Sequence, residues 1–223
     1  PLAAGFTKEY GTPYDSFWCC YGTGIESFSK QGDSIYFHDA DNICVNLFIP
    51  SIVNWKQRGL RLEQRTNFPE QEGTRLTVRL ERPTRLSINV RVPWWASSGV
   101  KAKINGKALQ AEAAATSYLR INREWNDGDT IELEMPMNLY AHPMPDDPEM
   151  VAVMYGPLAL AGLTDGPRYF LGDARDVGSW VEPAPGRPLT FTTKGQKPDM
   201  TLIPLYRVVD ERYGVYWTVV REG

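Results

Sequence analysis

In "LRLEQRT" Leu60 and Leu62 face one way while Arg61, Glu63 and Arg65 face the other. The same two-residue period runs through "RLTVRLER", with Leu76, Val78 and Leu80, and through "RLSINVRVP", with Leu86, Ile88, Val90 and Val92. Apolar residues that alternate with polar ones over a run this short predict half-buried antiparallel strands. Further strands are expected at "SIYF", "ICVNLFI", "VKAKI", "SYLRI", "DTIELEM", "MVAVMYG", "PLALAG", "TLIPLY" and "YGVYWTVV". Turn signals separate them, among them Asp39 to Asn42, Asn105-Gly106 and Asn126 to Asp129. The pattern predicts a mostly β protein, an antiparallel β-sandwich of jelly-roll-like type.

Three prolines, Pro143, Pro145 and Pro148, interrupt the strand pattern within "LYAHPMPDDPEM". They divide a dense sandwich over 34–140 from a smaller β-rich region over 141–223. Residues 164–200, rich in Gly and Pro, read as a long irregular excursion before the final strands.

The first 33 residues follow another rule. Thr23 and Glu26 have the Thr-x-x-Glu spacing of a capping box, and Ile25 and Phe28 stand three apart on one helical face. Gly32 is placed to end the helix. One short helix is therefore expected, with Cys19 and Cys20 just ahead of its N-terminus. The chain starts "PLAAGFTKEY", without an initiator Met, which suggests a piece of a longer protein.

The 223 residues carry a net charge of -3 and 42% hydrophobic residues, a composition that points to an ordinary globular surface and to no nucleic-acid partner. With no run of 18 apolar residues and no charged-then-apolar leader, neither a membrane span nor a signal peptide is read.

Three cysteines make no disulfide framework, and neighbours in sequence are poorly placed to bridge each other. Cys19 and Cys20 therefore read as thiols or as thiolates on a metal. The partial positive charge of a helix start favours thiolate, the form that attacks carbon and binds zinc. Two adjacent ligands leave a tetrahedral site unfinished, and His38 and His142 are isolated. Taken alone, such a pair also suits small buried fillers, and Cys44, within a strand, reads as one. Asp39 and Asp41 beside His38 are explained by a turn. Glu26 reads as Thr23's capping partner, and Glu70 and Glu72 fall in a hairpin turn. Gly22-Thr23-Gly24 fails the dinucleotide spacing at Ser27. Trp94 and Trp95 could stack on sugar or seal the end of the sandwich.

The run "TPYDSFWCCYGTGIESFSKQGDSIYFHDADNICVNLFIPS" resembles the bacterial β-L-arabinofuranosidases, glycoside hydrolases of families 127 and 146. The resemblance continues through "LRLEQRTNFP", "LSINVRVPWWA", "INGK", "REWNDGDTIELEMPM", "VAVMYGPLALAG" and "DERYGVYW", and so covers most of the chain. It implies that residues 1–33 are the end of an (α/α)6 catalytic barrel, whose remaining, N-terminal part is missing here. By this resemblance Cys19 would be nucleophile and zinc ligand, Cys20 a zinc ligand, and Trp18 a wall of the substrate pocket. The acid/base glutamate and the other zinc ligands would lie on the barrel.

The resemblance implies the C-terminal portion of a zinc-dependent retaining hydrolase of arabinose-containing plant-type glycans, periplasmic or extracellular. The fragment alone is expected to be inactive, with zinc absent or weakly held. The alternative is a noncatalytic module that binds carbohydrate or forms a homodimer, in which Trp94 and Trp95 would matter more than Cys19.

Overall fold

The computed structural model describes residues 12, 14, 19–166 and 168–221. A helix α1 (Cys19–Lys30) and a 3-10 turn (Gln31–Ser34) lead into ten strands: β1 (Tyr36–His38), β2 (Asn42–Val45), β3 (Ser51–Trp55), β4 (Leu60–Arg65), β5 (Gly73–Leu80), β6 (Thr84–Val92), β7 (Lys101–Ile104), β8 (Lys107–Ala108), β9 (Ser117–Trp125) and β10 (Thr130–Glu134). They form two sheets, ordered β1-β2-β6-β9 and β3-β4-β5-β10-β7-β8. The alternating residues do as their period requires. Leu62, Leu76, Val78, Ile88, Val90 and Ile131 are completely buried between the sheets, in a core that runs from Ile43 to Met137. Trp125 is sealed in the same layer, and its indole N–H donates to the Leu86 carbonyl at 3.2 Å. At the predicted Asn105-Gly106 turn both residues have positive φ, 52° and 77°, the backbone that joins two strands tightly.

The second region contains β11 (Leu139–Pro143), β12 (Met150–Tyr155), β13 (Leu158–Leu163), β14 (Tyr169–Leu171), β15 (Val181–Pro183), β16 (Phe191–Thr193), β17 (Thr201–Pro204), β18 (Tyr213–Gly214) and β19 (Tyr216–Val220). Its sheet runs β14-β19-β12-β13-β17-β16-β15, with β11 on β12 and β18 on β13. Phe170, Trp180 and Trp217 form its aromatic centre, with ring centroids 4.8 and 5.0 Å apart around Phe170.

Four expectations need correction. The "ICVNLFI" segment is not one strand: β2 ends at Val45, and the chain crosses to the opposite sheet, burying Phe48 on the way. Because β3, β4 and β5 lie in that other sheet, β2 returns beside β6 in parallel, and β14 also pairs β19 in parallel. Cys44 is not core filler. Its neighbours Ile43 and Val45 take the inward positions, so Cys44 points outward, half-buried, and accepts a 3.7 Å contact from the Asn89 amide. Residues 164–200 carry three strands of three residues each and bury Trp180, where the sequence shows too few alternations to register.

The β4–β5 hairpin reaches across to the second region. Glu72 Oε1 accepts from the Tyr155 hydroxyl at 2.8 Å and from the Met137 amide at 3.1 Å. Glu70 pairs with the Tyr206 hydroxyl and the Arg207 guanidinium. Burial, and then the Glu72 carboxylate, push the Tyr155 phenol up to about 12, and burial does the same to Tyr140.

Glu72→Ala is expected to cost about 1–3 kcal/mol in urea unfolding, because it leaves two donors at the junction without their acceptor. Tyr140 and Tyr155 fold in their neutral form, so their contribution is complete below pH ~10, the ordinary phenol range. It is lost as pH rises from there through about 12. Urea midpoints measured across that window should fall, and Tyr155→Phe should flatten the fall.

Candidate functional site

Cys19 and Cys20 are the first two residues of α1, not residues ahead of it. Both are exposed, and neither forms a disulfide. The capping box is not made. Since the helix begins four residues before Thr23, that hydroxyl lies inside it and donates back to the Cys19 carbonyl at 3.3 Å. Ser27 and Ser29 bond back in the same way, to the carbonyls of Thr23 (3.0 Å) and Glu26 (2.8 Å). Gly32 lies in the following 3-10 turn without the positive φ of a helix-ending glycine.

Among the described residues, the reactive groups at this helix start are the two thiols. No acidic residue lies in the first turn, and among the described residues no cluster of three His, Cys, Asp or Glu side chains could hold a metal. Two thiols side by side suit zinc as half of a tetrahedral donor set; any further donors lie outside the described residues. Trp18, expected to wall the pocket, also lies outside them. Among the described residues, a Cβ on Gly24 would meet nothing within 4 Å, and no residue of α1 is buried.

The remaining candidates have structural occupations. Asp39 Oδ1 accepts from the Asp41 and Asn42 amides, both at 2.9 Å, and its Asn42 hydrogen bonds hold the carboxyl below the usual range. Asp41 pairs with Arg58. His38 lies against Trp55, ring centroids 4.9 Å apart. The tryptophan pair divides: Trp95 is buried and stacked on Phe68 at 5.8 Å, whereas Trp94 is 55% exposed beside Tyr140 and His142. The sequence offered no means of telling them apart, as both follow the same strand end.

Residues 42–137 match the family model described as beta-L-arabinofuranosidase, GH127 middle domain, a span that coincides with the first hydrophobic core. Among solved structures, the fold is similar to a GH127 beta-L-arabinofuranosidase from Geobacillus stearothermophilus T6, with TM-score 0.72 and 21% identity over 92% of this chain and 37% of that one. It is similar to a protein described as a glycoside hydrolase, with TM-score 0.74 and 21% identity over 99% of this chain and 43% of that one. A GH127 beta-arabinofuranosidase, BT3674, gives TM-score 0.60 and 21% identity over 83% of this chain and 36% of that one. This chain thus spans well under half the length of each. No curated protein matches it.

A thiol-exchange assay under native conditions should show two fast equivalents and one slow, matching exposed Cys19 and Cys20 and half-buried Cys44. Cys19→Ser and Cys20→Ser should each remove one fast equivalent.

Proposed function

We propose, from the premise that residues 42–137 belong to the GH127 beta-L-arabinofuranosidase middle-domain family, that the chain is the C-terminal part of a zinc-dependent retaining glycoside hydrolase. Its substrates are β-L-arabinofuranosides of plant-type glycans, and its share of the active centre is the cysteine pair. The observation that carries this reading is the placement of two exposed thiols at a helix start, joined by a short 3-10 turn to the first strand of that sandwich.

In this reading Cys19 is the nucleophile. Its thiolate forms a bond to the anomeric carbon as the bond to the leaving oxygen breaks, and that oxygen takes a proton from a carboxylic acid outside this chain. Water, deprotonated by the same carboxylate, then displaces the sulfur, so two inversions leave the configuration retained. Cys19 and Cys20 would hold a zinc ion, whose charge stabilises thiolate against thiol. The described residues supply half of that donor set, so the isolated chain holds zinc weakly and turns over no substrate.

Two preparations test this: residues 1–223, and the full-length parent. The parent should contain near-stoichiometric zinc and cleave an aryl β-L-arabinofuranoside, and Cys19→Ala should lower kcat by about 10³-fold or more, as loss of a covalent nucleophile does. Turnover by residues 1–223, purified free of full-length enzyme, would overturn the division of labour.

The exposure of Trp94 favours one other reading, a noncatalytic carbohydrate module. Saturable quenching of tryptophan fluorescence by arabino-oligosaccharide, lost in Trp94→Ala, would support it. Trp95 is no part of that test, being buried in the core.

A further inference from the structure

Two clefts border the edge strand β14 and the turn that follows it, and their electrostatics differ. The first is lined by Glu149, Asp173, Arg175 and Arg221 among others. Its cations are neutralised within the cleft, since Asp173 accepts from the Arg175 guanidinium at 3.0 and 3.2 Å and from that of Arg221 at 3.4 Å. The second, of about 410 Å³, has Arg168, Tyr169, Gln196 and Lys197 in its walls and no carboxylate in its lining. Among the described residues neither the Arg168 nor the Lys197 side chain has an ion-pair or hydrogen-bond partner, and the Tyr169 hydroxyl has none either. Two cations that converge on one cleft without a counter-charge repel each other, and a bound anion would relieve that repulsion.

The walls of this second cleft are fixed to each other. One wall is β14; the other is the tip of the hairpin between β16 and β17. The Gln196 side chain bridges them, its amide nitrogen donating to the Leu171 carbonyl at 2.8 Å and its Oε1 accepting from the Leu171 amide at 2.9 Å. That bridge occupies the polar groups of the strand edge at Leu171, so the edge is not open there to an added strand. Within the hairpin tip, Asp199 Oδ1 accepts from the Gln196 amide at 2.9 Å and from the Thr193 hydroxyl at 3.4 Å, so the carboxylate next along the chain from Lys197 serves its own turn. Phe170 and Met200 form a buried floor. Because successive residues of a strand face opposite ways, burying Phe170 turns Tyr169 outward, where it is 63% exposed.

We propose that the cleft formed by Arg168, Tyr169 and Lys197 binds a carboxylated sugar, a uronate unit within a glycan chain. The charge half of the inference stands on the cleft; the sugar half rests on reading the parent as a glycan hydrolase. A carboxylate takes paired hydrogen bonds from the Arg168 fork and a point charge from Lys197. The Tyr169 ring offers an apolar surface to the C–H face of the sugar, with a hydroxyl beside it for the ring's own hydroxyls. The volume lies within the range of small-ligand sites, roughly 300–1,000 Å³. Walls already joined by Gln196 reduce the ordering that binding would otherwise cost. The chain as a whole carries a net charge of -3, so its overall charge draws no anion and the local arrangement has to.

Calorimetric titration of trigalacturonate into the full-length parent, and into residues 1–223, tests the proposal. Both should bind it saturably at one site, several-fold more weakly as salt rises from about 50 to 300 mM. Arg168→Ala, Lys197→Ala and Tyr169→Ala should each weaken binding by about tenfold or more, as loss of a contact to a charged ligand does. Arg175→Ala in the neighbouring cleft, and Trp94→Ala, should leave it unchanged, and an unaltered urea midpoint reports that each variant is folded. Neutral arabinotriose should bind at least about tenfold more weakly than the uronate. Absence of saturable binding to the parent overturns the proposal, as does equal affinity for the neutral trimer. Inorganic phosphate binding as tightly, with Tyr169→Ala without effect, reduces the cleft to an anion patch and overturns it as well. So does a dimer in sedimentation that Tyr169→Ala dissociates. An arabinofuranosidase assay on the parent separates the two readings: uronate binding without turnover sinks the enzyme and keeps the cleft, while turnover without uronate binding does the reverse.

Discussion

Strand β6 is the constraint on which the rest depends. It pairs along its whole length with β9, and over four residues with β2 on its other side. Its inward residues Leu86, Ile88, Val90 and Val92 are at most 1% exposed. The intervening ones, Ser87, Asn89 and Arg91, form the polar face. A slip of one residue would exchange the two sets and bury an amide and a guanidinium in a hydrocarbon core, so the register has no near competitor. That registration fixes β2 and β1, through which α1 is joined to the sandwich.

The helix is built differently. Its twelve residues bury nothing, and a helix of that length is marginal in water without packing. Its three side-chain hydroxyl bonds run to its own carbonyls rather than to the sandwich.

The sandwich was legible because its signal is long and periodic: β5, β6 and β9 each carry at least four alternations, and the Asn105-Gly106 turn carries its own backbone preference. What failed was local chemistry with two structural solutions. Thr23 and Glu26 fit a capping box, but a Thr hydroxyl bonds equally well to the carbonyl four residues back once the helix starts earlier. Cys44 alternates correctly, yet a small thiol suits either face, and only the pairing of β2 with β6 decides which. Trp94 and Trp95 differ solely in which side of the strand end each one falls. For the candidate site the sequence supplied only a motif by resemblance, and among the described residues no cluster of three His, Cys, Asp or Glu side chains accompanies the cysteine pair.

Acidity limits what the chain can contribute to hydrolysis. A general acid for glycoside cleavage needs a carboxyl held above its ordinary range, close to the leaving oxygen. The described carboxylates with displaced titration are all displaced downward. Hydrogen bonds from Arg175 hold Asp173 low, those from Asn42 hold Asp39, and those from backbone amides hold Glu211. The Asn126 amide and the Asn105 side chain do the same for Asp129 against its burial. Glu70 and Glu72 are committed to the junction between the two regions. Asp39, Asp129, Asp173 and Glu211 thus serve turns as anions, and on the proposed reading the proton donor to a leaving sugar oxygen lies elsewhere. On the proposed reading, sulfur at a helix start would be one partner in a two-group mechanism, with the second group a carboxyl outside this chain.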